Sequence, residues 1–303
     1  MHKKESIYGK KIKKSDMLWY GLVYASAGFM VFLVFGIILY VFARGIGQIN
    51  WTFLTTASSF LKGTVGIAGN IVNTLLIILI TLLIATPIGI GSAIYLNEYA
   101  RPGKLVRVIE FTTETLSGIP SIIYGLFGMM LFGKLWSYSI MTGALTLAIM
   151  ILPLITRNTQ EALKTVPLSY RQGALGIGAT KWYMIRTVLL PSALPGIITG
   201  IILAIGRIVG ESAALLFTAG SDGQLAKSIA AFFGKIFESG GTLTIELYLR
   251  MSKGEYQTAF GIGCVLLMIV LLINTATKII CKKMNGSKNG KDRNQKFKLT
   301  LRR

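Results

Sequence analysis

Six long stretches of the chain contain no charged residue, and this feature restricts its possible folds more than any other. A transmembrane helix needs about 20 consecutive, mostly apolar residues to cross the hydrocarbon core of a bilayer. In this chain of 303 residues the charge-free stretches cover 17–43, 63–97, 115–133, 135–156, 187–206 and 256–277. The sequence therefore predicts an all-α polytopic membrane protein with six transmembrane helices, the fifth of which we expect over about 192–218.

Basic residues are distributed unevenly between the segments that separate these helices. Of the 32 lysines and arginines, 24 lie in the segments 1–16, 98–110, 157–186 and 278–303, and seven lie in the alternate segments. Because Lys and Arg accumulate on the cytoplasmic side, this asymmetry predicts that both termini are cytoplasmic. The net charge of +20 follows from the same asymmetry, so we expect the basic tail to contact anionic lipid or water, and we expect no nucleic-acid partner.

The composition excludes several kinds of chemistry. His2 is the only histidine and lies in the N-terminal arm, which excludes catalysis by histidine. Cys264 and Cys281 do not have the spacing of metal ligands, so no metal site is predicted. The sequence contains no G-x-x-x-x-G-K phosphate loop. If the protein belongs to an ATP-driven machine, another polypeptide must therefore be the motor.

The longest segment between two predicted spans, about 157–190, has helical patterning of its own. Apolar residues recur at helical spacing on both sides of "GIGAT", which predicts two short helices. Gly176 and Gly178 permit a sharp turn with positive φ between them, and Ser169 or Thr180 could cap the helices. This hairpin could be an ordered interfacial element or an element that docks into the groove of a partner.

The stretch "LAIGRIVGESAALLF" places Arg207 and Glu211 inside the fifth predicted helix. A charge at the centre of a bilayer is costly, so this pair requires an explanation. Residues four positions apart share one face of a helix, which is compatible with a structural ion pair. Alternatively, Arg207 faces a cavity and binds an anion through its planar fork of donors.

A second candidate lies in "TTETLSGIPS", where Gly118 and Pro120 interrupt a helix. Ser117 and Ser121 place hydroxyl groups beside this interruption. The interruption could serve only the packing of a kinked helix, or the two hydroxyls could line a transport pathway.

The sequence "QGALGIGATKWYMIRTVLLP" resembles the EAA-loop signature of ABC importer permeases. That signature consists of Glu-Ala-Ala, three residues, Gly, nine residues and Ile-x-Leu-Pro. The corresponding positions here are Gln172, Gly173, Ala174, Gly178, Val188, Leu190 and Pro191. Gln172, Gly173 and Val188 depart from the consensus, so the ion pair of the usual glutamate is not expected.

Three stretches, "PIGIGSAIYLNEYA", "LSGIPSIIYGLFG" and "GATKWYMIRTVLLPSALPGIITGIILAIGRIVGESAALLFTAG", are similar to PstA-type permease subunits of phosphate-specific ABC importers. The resemblance implies a type I ABC importer permease fold with a cytoplasmic EAA-type coupling loop. The implied segments are a basic arm (1–16), a first transmembrane helix (17–43), the permease core (64–281) and a basic tail (282–303).

The resemblance also implies a function and a set of partners. The chain would be a transport subunit in the cell membrane, not an enzyme, and would form a phosphate pathway together with a PstC-like permease. A homodimeric PstB-like ATPase would bind ATP and Mg²⁺, an extracytoplasmic PstS-like protein would deliver phosphate, and this chain would hold no cofactor. A permease for another oxyanion or small solute is the main alternative, whereas a self-sufficient channel or carrier would have no use for a coupling loop.

On this interpretation two sets of residues are expected to carry the function. The expected pathway residues are Arg207, Glu211, Ser117 and Ser121. The expected coupling-loop residues are Gln172, Gly173, Ala174, Gly178, Thr180 and Lys181.

Overall fold

The computed structural model describes residues 14–59, 64–225 and 228–300. Most of the predicted basic arm (1–16) and the end of the predicted tail (301–303) lie outside these ranges. The helices are α1 (Lys14–Gly45), α2 (Trp51–Thr55), α3 (Ala68–Ile94), α4 (Lys104–Ser117), α5 (Ser121–Trp136), α6 (Ile140–Lys164), α7 (Leu168–Gly176), α8 (Lys181–Met184), α9 (Leu190–Val209), α10 (Ala213–Thr218), α11 (Ile229–Gly234), α12 (Leu243–Ser252) and α13 (Tyr256–Thr300). Single π turns extend α3 (Tyr95–Tyr99) and join α8 to α9 (Ile185–Leu189), and 3₁₀ turns cover Ile46–Gln48 and Lys235–Phe237.

Five helical segments are long and apolar enough to cross a membrane. They are Met17–Gln48, Ala68–Tyr99, Ile140–Lys164, Lys181–Val209 and Tyr256–Ile279. The remaining predicted span, 115–133, is not one straight helix, because α4 and α5 meet at an angle of 107°. Pro120 has no N–H group and disfavours helical geometry in the residue before it, which explains the break. The chain thus has six spans when this bent pair is counted as one.

The predicted helical fold is confirmed, with one small addition. Residues Ala57–Ser59 (β1) and Thr64–Ile67 (β2) form a two-stranded antiparallel sheet between α2 and α3. The sheet lies in a short connecting segment that carries too few apolar residues to show the alternation typical of strands.

Helix α6 is the centre of the bundle and packs against α3, α5 and α9. Its side chains Leu147, Ile151 and Ile155 are fully or almost fully buried. By contrast, the apolar side chains of α1 are largely exposed, and this helix packs against α13, for example through the edge-to-face contact of Tyr40 with Phe260. The first span is therefore peripheral, whereas α6 with α3 and α9 forms the frame that positions the candidate site.

Polar contacts fix the long segment 219–255 to the start of α3. The Asn70 side chain donates to the carbonyl of Gly241 at 3.0 Å, and Asn73 donates to the carbonyl of Asp222 at 3.1 Å. Both asparagines therefore bind carbonyls of this loop. The Arg250 guanidinium lies in the same segment, on α12. Burial alone would lower its pKa, but its hydrogen bonds to Glu255 and Glu246 outweigh this effect and raise that pKa.

Candidate substrate cavity and coupling hairpin

A cavity of about 180 Å³ lies where the bend between α4 and α5 faces α6 and α9. Apolar side chains form most of its wall, and the wall also contains a serine, a tyrosine and one arginine. The lining residues are Leu116, Ser117, Ile119, Tyr124, Met150, Leu154 and Arg207. An apolar pocket with a few convergent polar groups is the usual form of a small-ligand site.

Arg207 lies in the last turn of α9 and is an exposed side chain at the edge of the cavity. Within the described part of the chain, no carboxylate forms an ion pair with it and no residue accepts a hydrogen bond from its guanidinium. A guanidinium keeps its charge at any physiological pH and offers five N–H donors. The arrangement therefore leaves a permanent cation available to an anion at the edge of a mostly apolar cavity.

Glu211 does not pair with Arg207, and the predicted continuous helix over 192–218 is wrong. Helix α9 ends at Val209, and α10 begins separately at Ala213. The Glu211 carboxylate is buried and accepts a hydrogen bond from the backbone N–H of Ala214 at 3.1 Å. It therefore caps the start of α10, which is why the spacing of four residues does not bring the two charges together.

The two serines at the bend have different positions. Ser117 lines the cavity, and its hydroxyl donates to the carbonyl of Glu114 at 2.8 Å. Ser121 is the first residue of α5 and is not part of the cavity wall. Tyr124, which the sequence analysis did not select, contributes to the wall and donates from its hydroxyl to the carbonyl of Leu116 at 2.7 Å. This bond stabilises the bend. The sequence feature that could have identified Tyr124 is the presence of a tyrosine inside an apolar helix.

The predicted two-helix loop is confirmed as α7 and α8, and we call residues 168–184 the hairpin. Gly178 has a φ of +84°, which a side chain at this position would strain. Gly176 instead ends α7 and is not among the described glycines with positive φ. Thr180 caps α8 by accepting from the N–H of Tyr183 at 3.3 Å, whereas Ser169 lies inside α7 and caps no helix.

The hairpin packs part of its surface on the bundle and exposes another part. Met184 and Ala174 pack towards the ends of α3, α6 and α9. The outer face carries large apolar side chains, namely Leu168, Tyr170, Leu175, Ile177, Trp182 and Tyr183, all of them exposed. Gln172 and Gly173 are exposed on α7 beside this face. Exposed apolar residues clustered on one element are typical of a surface that binds a partner protein.

Sequence reasoning missed an ion pair that connects the hairpin to the end of the second long apolar helix. The guanidinium of Arg171 binds the carboxylate of Glu98 at 3.1 Å, and Lys181 donates to the backbone carbonyl of Glu98. The only signal was that Glu98 is the first charged residue after a long apolar stretch. Among the described residues, no group of three or more His, Cys, Asp or Glu side chains could hold a metal ion.

Comparisons with known proteins agree with this geometry. Residues 85–286 match the family of binding-protein-dependent transport system inner membrane components. The probable ABC transporter permease protein YqgI of Bacillus subtilis is 35% identical over 91% of this chain and 99% of its own length. The phosphate transport system permease protein PstA of Yersinia pestis is 36% identical over 72% of this chain and 73% of its own length. Among solved structures, a bacterial alginate ABC transporter matches 89% of this chain and 96% of its own with a TM-score of 0.63 at 14% identity, which shows the shared fold.

Proposed function

The chain belongs to the family of binding-protein-dependent transport system inner membrane components, the permeases of ABC importers, and we propose that its substrate is inorganic phosphate. The similarity to a phosphate transport permease over 72% of the chain supports this substrate. The observation that carries the proposal is the exposed guanidinium of Arg207 at the cavity, without an ion-pair partner in the described parts of the chain.

Phosphate suits this site chemically. It is an anion at all physiological pH values, and a guanidinium can donate two parallel hydrogen bonds to two of its oxygens. The cavity of about 180 Å³ has the volume of several water molecules, which is enough for a small inorganic anion. In this proposal Arg207 contacts the anion, Ser117 lines its path, and Glu211 acts indirectly by capping α10. Ser121 has no direct role because it lies outside the cavity wall.

The proposed complex contains several further subunits. A PstC-like permease would complete the pathway, and a PstS-like protein would deliver phosphate on the extracytoplasmic side. A homodimeric PstB-like ATPase would bind ATP and Mg²⁺ and dock on the exposed apolar face of the hairpin. The hairpin end of the bundle would then be cytoplasmic, as would both termini.

Uptake of radioactive phosphate into proteoliposomes that contain the complete complex tests the substrate and the role of Arg207. We expect Arg207→Gln to abolish ATP-dependent uptake while the subunits still co-purify, and Arg207→Lys to keep part of the activity because the charge remains. Arg107→Gln is the matched control, since Arg107 is exposed on α4 and is not part of the cavity wall.

Two outcomes would contradict the proposal. Normal uptake by the Arg207→Gln complex would show that this side chain does not contact the transported anion. Uptake of sulfate or of an organic solute by the wild-type complex, without uptake of phosphate, would show that the substrate is wrong.

Labelling of single cysteines in intact cells tests the proposed orientation. Phe233 is a suitable external position because it is 63% exposed, and Tyr170 on the hairpin is a suitable internal one. We expect a membrane-impermeant maleimide to label a cysteine at position 233 and not one at 170. Labelling at position 170 and not at 233 would show that the topology is the reverse of the proposed one.

A further inference from the structure

Glu98 is a nearly buried carboxylate at the end of the second long apolar helix. It lies in the π turn that extends α3, and its side chain is 7% exposed. One of its oxygens accepts hydrogen bonds from the Asn97 amide at 2.6 Å and from the Arg171 guanidinium at 3.1 Å. A charge held this far from water requires a defined set of partners, so its position is fixed by them.

Arg171 connects three elements through one rigid group. Besides Glu98, its guanidinium donates to the carbonyl of Leu163 at 2.9 Å and to that of Val166 at 3.1 Å. The Leu163 carbonyl lies at the end of α6 and the Val166 carbonyl lies just after it, whereas Arg171 itself belongs to α7. Because the guanidinium is planar, the ends of α3 and α6 and the first arm of the hairpin keep one relative orientation.

The second arm of the hairpin also contacts Glu98. Lys181, at the start of α8, donates to the backbone carbonyl of Glu98. Its ammonium group also lies 4.9 Å from the centre of the Tyr99 ring, within the range of a cation–π contact. Both arms of the hairpin therefore contact the last residues of the π turn, and a movement of either arm acts on Glu98.

A short connection leads from Glu98 to the cavity. Residues 100–103 join the π turn to α4, and Pro102 within them has a fixed φ. The other end of α4 carries Leu116 and Ser117 into the cavity wall. Only four residues thus separate the π turn that contains Glu98 from a helix that lines the candidate pathway.

We infer that Glu98 is a positioning residue that transmits the movement of the hairpin to α4 and so couples ATP hydrolysis to opening of the cavity. The inference rests on the proposed function, in which the hairpin docks on the ATPase. Glu98 contacts neither phosphate nor ATP in this role. Its carboxylate acts through Arg171, and its backbone carbonyl acts through Lys181.

Attachment of the hairpin does not depend on Glu98 alone, which makes the inference testable. Met184, Ile185 and Leu189 are fully or almost fully buried against the ends of α3, α6 and α9. Replacement of Glu98 by Gln keeps the shape and one acceptor oxygen but removes the charge. We therefore expect the hairpin to stay on the bundle while the rigid link becomes loose.

The experiment uses the complete complex in proteoliposomes and compares Glu98→Gln and Arg171→Lys with wild type. Three quantities are measured on each sample: ATP hydrolysis, phosphate uptake, and cross-linking of a single cysteine at position 177 to the ATPase in a background without Cys264 and Cys281. Ile177 is 87% exposed at the tip of the hairpin, which makes it accessible to the cross-linker. Glu161→Gln is the matched control, because Glu161 pairs with basic neighbours at the same end of the bundle but is 57% exposed.

We expect both variants to retain the cross-link and ATP hydrolysis and to import about tenfold less phosphate per ATP hydrolysed, within the range by which residues along a coupling route change coupling. The control should keep the wild-type ratio. A merely structural role would lower uptake and hydrolysis together and leave their ratio unchanged.

Three results would overturn the inference, and each has a distinct meaning. A wild-type ratio in both variants, with the cross-link present, would show that Glu98 transmits nothing. Loss of the cross-link in the variants would show that Glu98 only holds the hairpin on the bundle. Absence of the cross-link in wild-type complex would instead refute the proposed docking of the hairpin itself.

Discussion

Arg171 in the hairpin and Arg207 beside the cavity are held in very different ways by the same chain. The Arg171 side chain is 16% exposed, and its donors are directed to one carboxylate and two backbone carbonyls. Arg207 is exposed, and the described residues provide no partner for its guanidinium. A cation whose donors are used within the protein contributes to structure, whereas one with free donors can bind a ligand. The contrast therefore separates a residue that holds the hairpin from one that can meet an anion.

The largest difference between the two arginines should appear in stability. Arg171→Gln leaves the Glu98 carboxylate, 7% exposed, without its cation, and loss of one partner of a buried pair costs about 3 kcal/mol. Arg207→Gln breaks no side-chain hydrogen bond or ion pair among the described residues and should change the free energy of unfolding by less than about 0.5 kcal/mol. Unfolding of the purified chain in detergent measures both values. Equal destabilisation by the two variants would show that Arg207 contributes to the structure as much as Arg171 does.

The next largest effect is expected at the turn of the hairpin. Gly178→Val forces a β-branched residue into a φ of +84° and should cost about 1–3 kcal/mol of local strain. We expect the variant to insert into the membrane normally but to lose most of its ATPase on co-purification. Gly254→Val is the matched control, since Gly254 also has a positive φ, +78°, and open space around it but lies outside the hairpin, so this variant should keep its ATPase. Full retention of ATPase by Gly178→Val would exclude the hairpin as the docking element.

The hairpin could be predicted from the sequence because its determinants are local. The glycine at the turn, the Thr180 cap and the apolar spacing all lie within about 20 residues of one another, as helix signals usually do. The identity of its anchor could not be predicted, because Glu98 and Arg171 are 73 positions apart and meet only when α3 and α6 pack side by side.

The helix break next to the cavity could not be predicted, because it depends on a contact that the hydrophobic pattern does not show. Spacing alone suggested that Arg207 and Glu211 share a helix face, and the apolar residues that follow gave no sign of a break. Gly210 weakens the helix, and the Glu211 carboxylate then finds the N–H of Ala214, which competes with helix continuation. A prediction based on hydrophobicity therefore fails at polar side chains that can cap a helix, because the hydrophobic pattern contains no information about their hydrogen bonds to the backbone.

A smaller effect is expected at Glu211, and it tests whether this residue caps α10 or pairs with Arg207. Glu211→Ala removes the acceptor at the start of α10 and should destabilise the chain by about 1 kcal/mol, the usual effect of a lost helix cap. Glu211→Gln keeps an acceptor oxygen and should be close to wild type in stability and in subunit assembly. Thermal unfolding and co-purification measure the two effects. Failure of the Glu211→Gln variant to assemble would show that the negative charge of Glu211 compensates a cation. That result would contradict the separation of Glu211 from Arg207 in this structure.

The smallest effect is expected at Ser117, although its side chain lines the same cavity as Arg207. A hydroxyl has one proton to donate, and that of Ser117 is directed to the carbonyl of Glu114 at 2.8 Å. An anion needs donors, so Ser117 can offer phosphate little more than the oxygen of an already bonded hydroxyl. Ser117→Ala should therefore change the KM for phosphate uptake by no more than about twofold, equivalent to less than about 0.5 kcal/mol. A tenfold increase in KM without loss of assembly would mean that the hydroxyl turns away from the Glu114 carbonyl and joins Arg207 in binding the anion.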